Sequence, residues 1–291
     1  MGGAFRSMVC AAMLWIAGTG VGLAESPAGY RSPPVGTEFF VTETTRFRVI
    51  AATDDSVTTE NSSHIKVTWL GGLVTREMSA KDRARLMGFF PLAPGARLTY
   101  DAGPGSGRAL TVVANDVVQV DGRTIPVVRV TRYQKDVEAR GAVEGEYTLW
   151  FAPEYGFPLK LTYRHIAGDP PRTTDWQVVH IVPAGSVDGL WSFDLECHSS
   201  AFVRINRAIV RDGVLVNIAS DHPSTYSATE SALRLSRTGD QLELSGTMMN
   251  ANGDAMTISA HGTLVGESAS GVGSIVGHGA RTGCPFTANR L

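Results

Sequence analysis

The residues best suited to chemistry are scattered through this sequence, and none stands at the spacing its chemistry needs. A serine nucleophile on a strand–turn–helix elbow requires G-x-S-x-G. Gly266-Glu267-Ser268-Ala269-Ser270 lacks the final glycine and lies in a β-rich stretch. A phosphate loop requires G-x-G-x-x-G or a following Lys-Ser/Thr, with a helix N-terminus behind it. Gly271-Val272-Gly273-Ser274-Ile275-Val276-Gly277 has none of these and reads as a strand of small residues alternating with valine. Seven histidines, His64, His165, His180, His198, His222, His261 and His278, are spread along the chain with no two at metal-ligand spacing. Only the fold could bring distant ones together. Cys197-His198 lacks the C-x-x-C or H-x-x-x-H partner of a zinc site. Asp54-Asp55 lacks the alternating oxygen ligands around a glycine that calcium takes. No catalytic residue, metal or cofactor is assigned, and the chain is expected not to be an enzyme.

The aromatic residues carry more information. Trp69, Trp150, Phe151, Tyr155, Phe157 and Trp176 all fall in the first two thirds of the chain. Core packing is the ordinary use of such a set. Its functional use is an apolar pocket inside a curved sheet, where Trp69, Trp150, Phe151, Tyr155 and Trp176 become the candidate ligand-binding residues.

The elements that would position them are β strands. Runs at 39–42, 46–51, 64–69 and 97–100 are short, β-branched or aromatic, and separated by turn residues. One helix is expected over 80–89, capped by Ser79, with Asp82 at its third position and Pro91 stopping it. Strands 117–120 and 124–133 meet across Asp121-Gly122, a dipeptide suited to a type I′ hairpin. Strands 147–151 and 157–163 meet across Ala152-Pro153-Glu154-Tyr155-Gly156, and a run over 174–182 closes this unit. Pro183-Ala184-Gly185-Ser186 reads as a boundary. Beyond it, Asp212-Gly213, Gly239-Asp240 and Asn252-Gly253 each join two strands. Leu233, Leu235, Leu242, Leu244, Met256 and Ile258 alternate with Arg234, Glu243, Thr257 and Ser259. One buried and one wet face per strand is what an antiparallel sheet around its own core requires. The expected fold is therefore all-β, mainly antiparallel, with about one short helix. A curved sheet or half-barrel at 36–183 follows a Pro-rich linker at 25–35, and a small barrel or sandwich occupies 189–291.

Composition bounds the setting. Lys plus Arg number 26 and Asp plus Glu 28, so no basic excess exists to displace counterions from nucleic acid. Residues 1–24 combine Arg6, an apolar run from Met8 to Ile16, and Gly22-Leu23-Ala24 before Glu25, the pattern of a cleaved secretory signal. The apolar run falls short of the roughly 20 residues a membrane span needs, and Cys10 precedes the end of that run, so it is no lipobox cysteine. A periplasmic or secreted protein that does not span a membrane after cleavage is expected. Cleavage leaves Cys197 and Cys284, and an even count in an oxidising compartment reads as one disulfide. Such a bridge would tie the first strand of the second unit to its last.

The motifs Phe90-Pro91-Leu92-Ala93-Pro94-Gly95, Val120-Asp121-Gly122 and Leu149-Trp150-Phe151-Ala152-Pro153-Glu154-Tyr155-Gly156-Phe157-Pro158-Leu159-Lys160-Leu161 resemble those of uncharacterised bacterial periplasmic β proteins. Some of these are similar to the half-open sheets of lipoprotein carriers, which curl around a helix and hold acyl chains. The resemblance spans residues 36–182. The C-terminal unit resembles small β modules of proteobacterial envelope proteins, which open with W-x-x-x-x-x-C and close with C-x-F-x-x-x-R; here these are Trp191 to Cys197 and Cys284 to Arg290. The resemblance implies a bacterial source and brings no catalytic residue. The leading expectation is non-enzymatic binding of an apolar or amphipathic envelope component, with a lipid, an amphipathic small molecule or an envelope protein as partner. A periplasmic scaffold without a small ligand is the alternative reading, and an unrecognised hydrolase a third. A ligand-binding protein requires a pocket lined by the aromatics, a scaffold a filled core with open strand edges, and an enzyme a polar cleft with a partnered histidine.

Overall fold

The computed structural model of the chain describes residues 29–75, 77–100, 106–138, 141–169, 175–198, 201–219, 226–250, 254–277 and 279–291. The proposed signal segment and the Asn252-Gly253 turn lie outside these residues. The first unit comprises β1 (Glu38–Phe40), β2 (Arg46–Ala52), β3 (Ser56–Asn61), β4 (Lys66–Leu70), α1 (Ala80–Met87), β5 (Arg97–Tyr100), β6 (Gly107–Val120), β7 (Arg123–Glu138), β8 (Gly141–Ala152), β9 (Phe157–Ala167), β10 (Trp176–Gln177) and β11 (His180–Val182). These form two antiparallel sheets, ordered β11-β1-β2-β3-β4 and β10-β9-β8-β7-β6-β5. The protein is all-β, mainly antiparallel, with one short helix among the described residues.

The strands of the first unit are divided between two sheets packed on a shared core. Phe39, Val49, Val57 and Trp69 from one sheet are buried with Val120, Ile125, Leu149, Phe157 and Leu159 from the other. The rings of Phe39 and Phe157 stack 4.6 Å apart across the interface. The division is made at Val178-Val179. In extended chain, successive amides point opposite ways. The Val178 amide donates to Leu159 O in one sheet (2.7 Å) and the Val179 amide to Phe40 O in the other (2.7 Å). The expected single strand over 174–182 is thus two short strands in different sheets.

Local expectations hold where side chains bond their own backbone. Asp82 N donates to Ser79 Oγ at 3.1 Å, capping α1. The helix stops at Met87, two residues short of expectation, because Gly88 caps it and the Phe89 and Phe90 amides turn back onto Leu86 and Met87 carbonyls. Asp121 and Gly122 both have positive φ (53° and 70°), as a type I′ turn requires, and Asp212 and Gly213 repeat the pattern (50° and 71°). β3, which reads as a polar loop from its Ser-Val-Thr-Thr-Glu-Asn sequence, forms because Val57 and Thr59 enter the core while neighbouring strands pair on both sides.

The C-terminal unit is a closed barrel. β12 (Gly189–His198), β13 (Ala201–Arg211), β14 (Val214–Ala219), β15 (Tyr226–Thr238), β16 (Gln241–Asn250), β17 (Ala255–Val265), β18 (Ser268–Gly277) and β19 (Gly279–Arg290) follow in sequence order, and β12 pairs β19 to close it. Closure leaves no edge strand. Trp191, Phe193, Leu233, Leu244, Ile258 and Phe286 are buried together inside, whereas Arg234, Glu243, Thr257, Ser259 and His261 face out. This is the inverse of the apolar outer band of a barrel embedded in lipid. Cys197 and Cys284 are joined, with Cα atoms 4.3 Å apart. Leu195 faces Phe286 along the β12–β19 seam, so Cys197 and Cys284 are the next same-facing pair. The bridge therefore seals one end of the seam.

The other end of the seam meets the first unit. Glu38, fully buried on β1, lies 3.3 Å from Arg46, 3.8 Å from Arg48 and 3.3 Å from Arg290 of β19. Arg290 also donates to the carbonyls of Ser186 and Asp188, each at 2.9 Å. Arg48 pairs with Glu267, and Arg46 donates to the Leu291 carbonyl. Gly189 permits this approach: its φ is +125°, and a Cβ there would sit 3.0 Å from the Glu38 carboxylate.

Candidate functional site

An apolar cleft lies under the N-terminal segment. Residues 29–34, expected as a free linker, are bound down. The Ser32 hydroxyl donates to Ser56 O at 3.0 Å and lies against Thr53 O. The chain then crosses the β8–β9 turn so closely that a Cβ on Gly156 would overlap the Arg31 carbonyl. Gly156 has φ +59°, so that position demands glycine for conformation as well as for space. Gly72 lies beneath, where a Cβ would come 2.7 Å from the Phe151 ring.

This crossing forms one wall of a cleft of about 200 Å³, and the loop after α1 forms the other. Tyr30, Phe90, Leu92, Val128 and Phe151 supply the apolar lining, with Pro91, Pro94 and Pro153; Arg31 and Asn115 are its exposed polar members. The rings pack in sequence, Tyr30 to Phe90 at 5.5 Å and Phe90 to Phe151 at 5.7 Å. The Tyr30 hydroxyl is buried beside Ser32 without a hydrogen bond of normal geometry. Burial, partly opposed by that serine, pushes its pKa up to about 12, so the phenol keeps its proton at any physiological pH. A second depression of about 420 Å³ borders Thr68, Leu70, Thr75, Glu77, Met78 and Arg83. Its polar lining, with Arg83 already paired to Asp55 at 3.0 Å, suits water better than an apolar ligand.

Of the five aromatic candidates, only Phe151 lines the cleft. Trp69 is a core residue, its indole N–H donating to Thr59 Oγ1 at 3.2 Å. Trp176 packs on Phe47 at 5.0 Å, and Tyr155 meets Phe39 edge-on at 6.4 Å. Trp150 donates to Asp116 at 3.1 Å, and the Lys160 ammonium lies 4.6 Å from its ring centre. Hydrogen bonds from the Val117 amide and then the Trp150 indole hold the Asp116 carboxyl below its usual pKa. Trp69 and Trp176 serve the inter-sheet core, and Trp150 joins a polar cross-strand cluster. Tyr30, Phe90, Leu92 and Val128 were not singled out from sequence. Phe90 and Leu92 stand in the Phe-Pro-Leu-Ala-Pro-Gly motif, which was their only signal.

Hydrolytic chemistry finds one partial arrangement. His180 Nδ1 lies 2.7 Å from Asp121 Oδ1, and the Ile181 amide donates to the same carboxylate at 3.3 Å. His180 Nε2 is buried, and no hydroxyl among the described residues bonds it as a general base would require. The contact links β11 to the β6–β7 turn, joining the two sheets. Ser268 of the incomplete elbow begins β18, paired with Val265 directly after the two-residue Gly266-Glu267 loop, and the glycines of β18 allow close pairing with β17, where a Cβ on Gly273 would come 2.6 Å from Ala260. No three His, Cys, Asp or Glu residues converge among the described residues.

No protein-family model, no curated protein and no solved structure matches the chain. Fold and site together define a class: an all-β protein in which a two-sheet unit bearing a small apolar cleft is clamped to a filled, disulfide-sealed barrel.

Proposed function

We propose that the chain is an exported envelope protein that binds, without catalysis, an apolar or amphipathic component in the cleft under its N-terminal segment. The observation that carries this reading is the cleft itself, whose walls are aromatic, aliphatic and proline side chains and whose polar residues sit at the exposed margin. At about 200 Å³ it lies below the range of drug-sized sites, roughly 300–1,000 Å³, so it takes a short alkyl chain or one ring rather than a whole lipid. The disulfide accords with an oxidising compartment such as the periplasm. No helix of the described residues is long and apolar enough to cross a membrane. The barrel, with its interior filled, serves as a rigid accessory module.

Native mass spectrometry of the protein purified gently from its source tests the reading. A small-molecule adduct that leaves on denaturation, and is absent from a cleft-filling Leu92→Trp variant, is the expected result. A bare monomer in both would remove the tight-ligand reading. A stoichiometric protein partner would favour a scaffold instead, a reading drawn from the outer edges of β4 and β5, which pair with no further strand among the described residues.

A further inference from the structure

The cleft has a polarity that the apolar reading leaves unused. Arg31 lines it, is exposed, and makes no ion pair among the described residues. Its backbone is fixed against Gly156, so the guanidinium is tethered at the cleft margin. Asn115 lines the same cleft and is also exposed. No carboxylate among the described residues lines the cleft. The aromatic rings do not form a cage for a cation: Tyr30, Phe90 and Phe151 pack on one another rather than around a void, and Arg31 repels positive charge.

We propose, resting on the cleft reading above, that the ligand is an amphipathic anion, with its short apolar body against Phe90, Leu92 and Phe151 and its anionic head at Arg31 and Asn115. A guanidinium offers paired donors to a carboxylate or phosphate, and Asn115 adds an amide donor. The apolar walls supply affinity without head-group preference, and Arg31 supplies the preference.

Isothermal titration with eight-carbon probes differing only in the head separates the two contributions. Octanoate is expected to bind the intact protein about 2- to 5-fold more tightly than octan-1-ol, the range for one exposed charge contact, with octylammonium weakest. Raising NaCl to about 0.5 M should shrink that difference, because the contact is exposed to screening ions. Arg31→Gln should bring octanoate to the affinity of octan-1-ol and leave octan-1-ol unchanged. Octyl phosphate forms a further arm, and preference for either anion over the alcohol supports the proposal while naming the head. Equal binding of octanoate and octan-1-ol, both abolished by Leu92→Trp, would overturn the anion proposal and leave the cleft reading standing. Binding of none of the probes would remove the cleft reading with it.

Discussion

Replacing Glu38 by glutamine tests the junction between the two units. The Glu38 side chain is fully buried and faces three guanidiniums, Arg46, Arg48 and Arg290, whose side chains are only 11%, 21% and 9% exposed. The amide removes the negative charge at nearly constant volume and leaves those cations around one buried point. Breaking a buried pair by removing one partner costs about 3–5 kcal/mol, because a charge is left uncompensated. Compensation remains here: Arg48 keeps Glu267, Arg46 keeps the Leu291 carbonyl, and Arg290 keeps the carbonyls of Ser186 and Asp188. The loss is therefore placed at the lower end, about 3 kcal/mol, or roughly 6–12 °C in Tm for a cooperative unit of this size. The assay is urea denaturation followed by tryptophan fluorescence, since urea, unlike guanidinium chloride, does not screen the pairs. Trp69, Trp150 and Trp176 report the first unit and Trp191 the barrel. Wild type should unfold in one transition, and Glu38→Gln in an earlier and broader one as the units uncouple. A change below about 1 kcal/mol with an unaltered single transition would refute the argument, because a surface ion pair is worth no more than that.

The remaining expectations are direct. Replacing Cys197 and Cys284 together by alanine should cost about 4–5 kcal/mol, as removing a crosslink over 87 residues of sequence separation relaxes the unfolded chain; equal urea midpoints for wild type and variant would contradict this. Gly156→Ala should cost about 1–3 kcal/mol and release residues 29–34, because the added Cβ both meets the Arg31 carbonyl and sits at φ +59°. Hydrogen exchange at the Tyr30, Arg31 and Ser32 amides should then accelerate, and unchanged protection would show that the segment does not depend on this crossing. Tyr30 holds its proton to about pH 12 when folded but titrates near 10 when unfolded. Its contribution is thus fully present below pH 10 and is lost as pH rises to 12. Stability of wild type should fall more steeply over that window than that of Tyr30→Phe, measured by urea midpoints at successive pH values.

What was legible in the sequence was whatever neighbouring residues decide among themselves. Asp121-Gly122 and Asp212-Gly213 specify their turns because two adjacent residues must both take positive φ. Ser79 and Asp82 specify a helix start because a side chain bonds an amide three residues on. Leu233 and Leu235, alternating with Arg234, specify a buried face because strand side chains repeat every second residue. What was illegible depends on distant chain. The β-branched Val57, Thr58 and Thr59 of β3 are too short a signal among polar neighbours to mark a strand until β2 and β4 flank it. Of the aromatic candidates only Phe151 reaches the cleft for the same reason: ring type indicates burial, and which rings share a space is set by how two sheets close.

The N-terminal segment shows how that limit bears on function. Read alone, Tyr30-Arg31-Ser32-Pro33-Pro34 has the composition of a linker, since prolines give it no ladder donors and its neighbours show no alternation. The fold makes the same features useful. A segment that joins no sheet is free to cross one, and here it crosses where Gly156 has removed a Cβ from its path, while Gly72 leaves room beneath for the Gly156 backbone. Ser32 anchors it, its hydroxyl donating to the Ser56 carbonyl. Tyr30 then covers Phe90, and Arg31 is left at the margin with no ion-pair partner among the described residues. A free cation fixed at the edge of an apolar cleft costs no desolvation until a ligand arrives, so its charge is available to select that ligand.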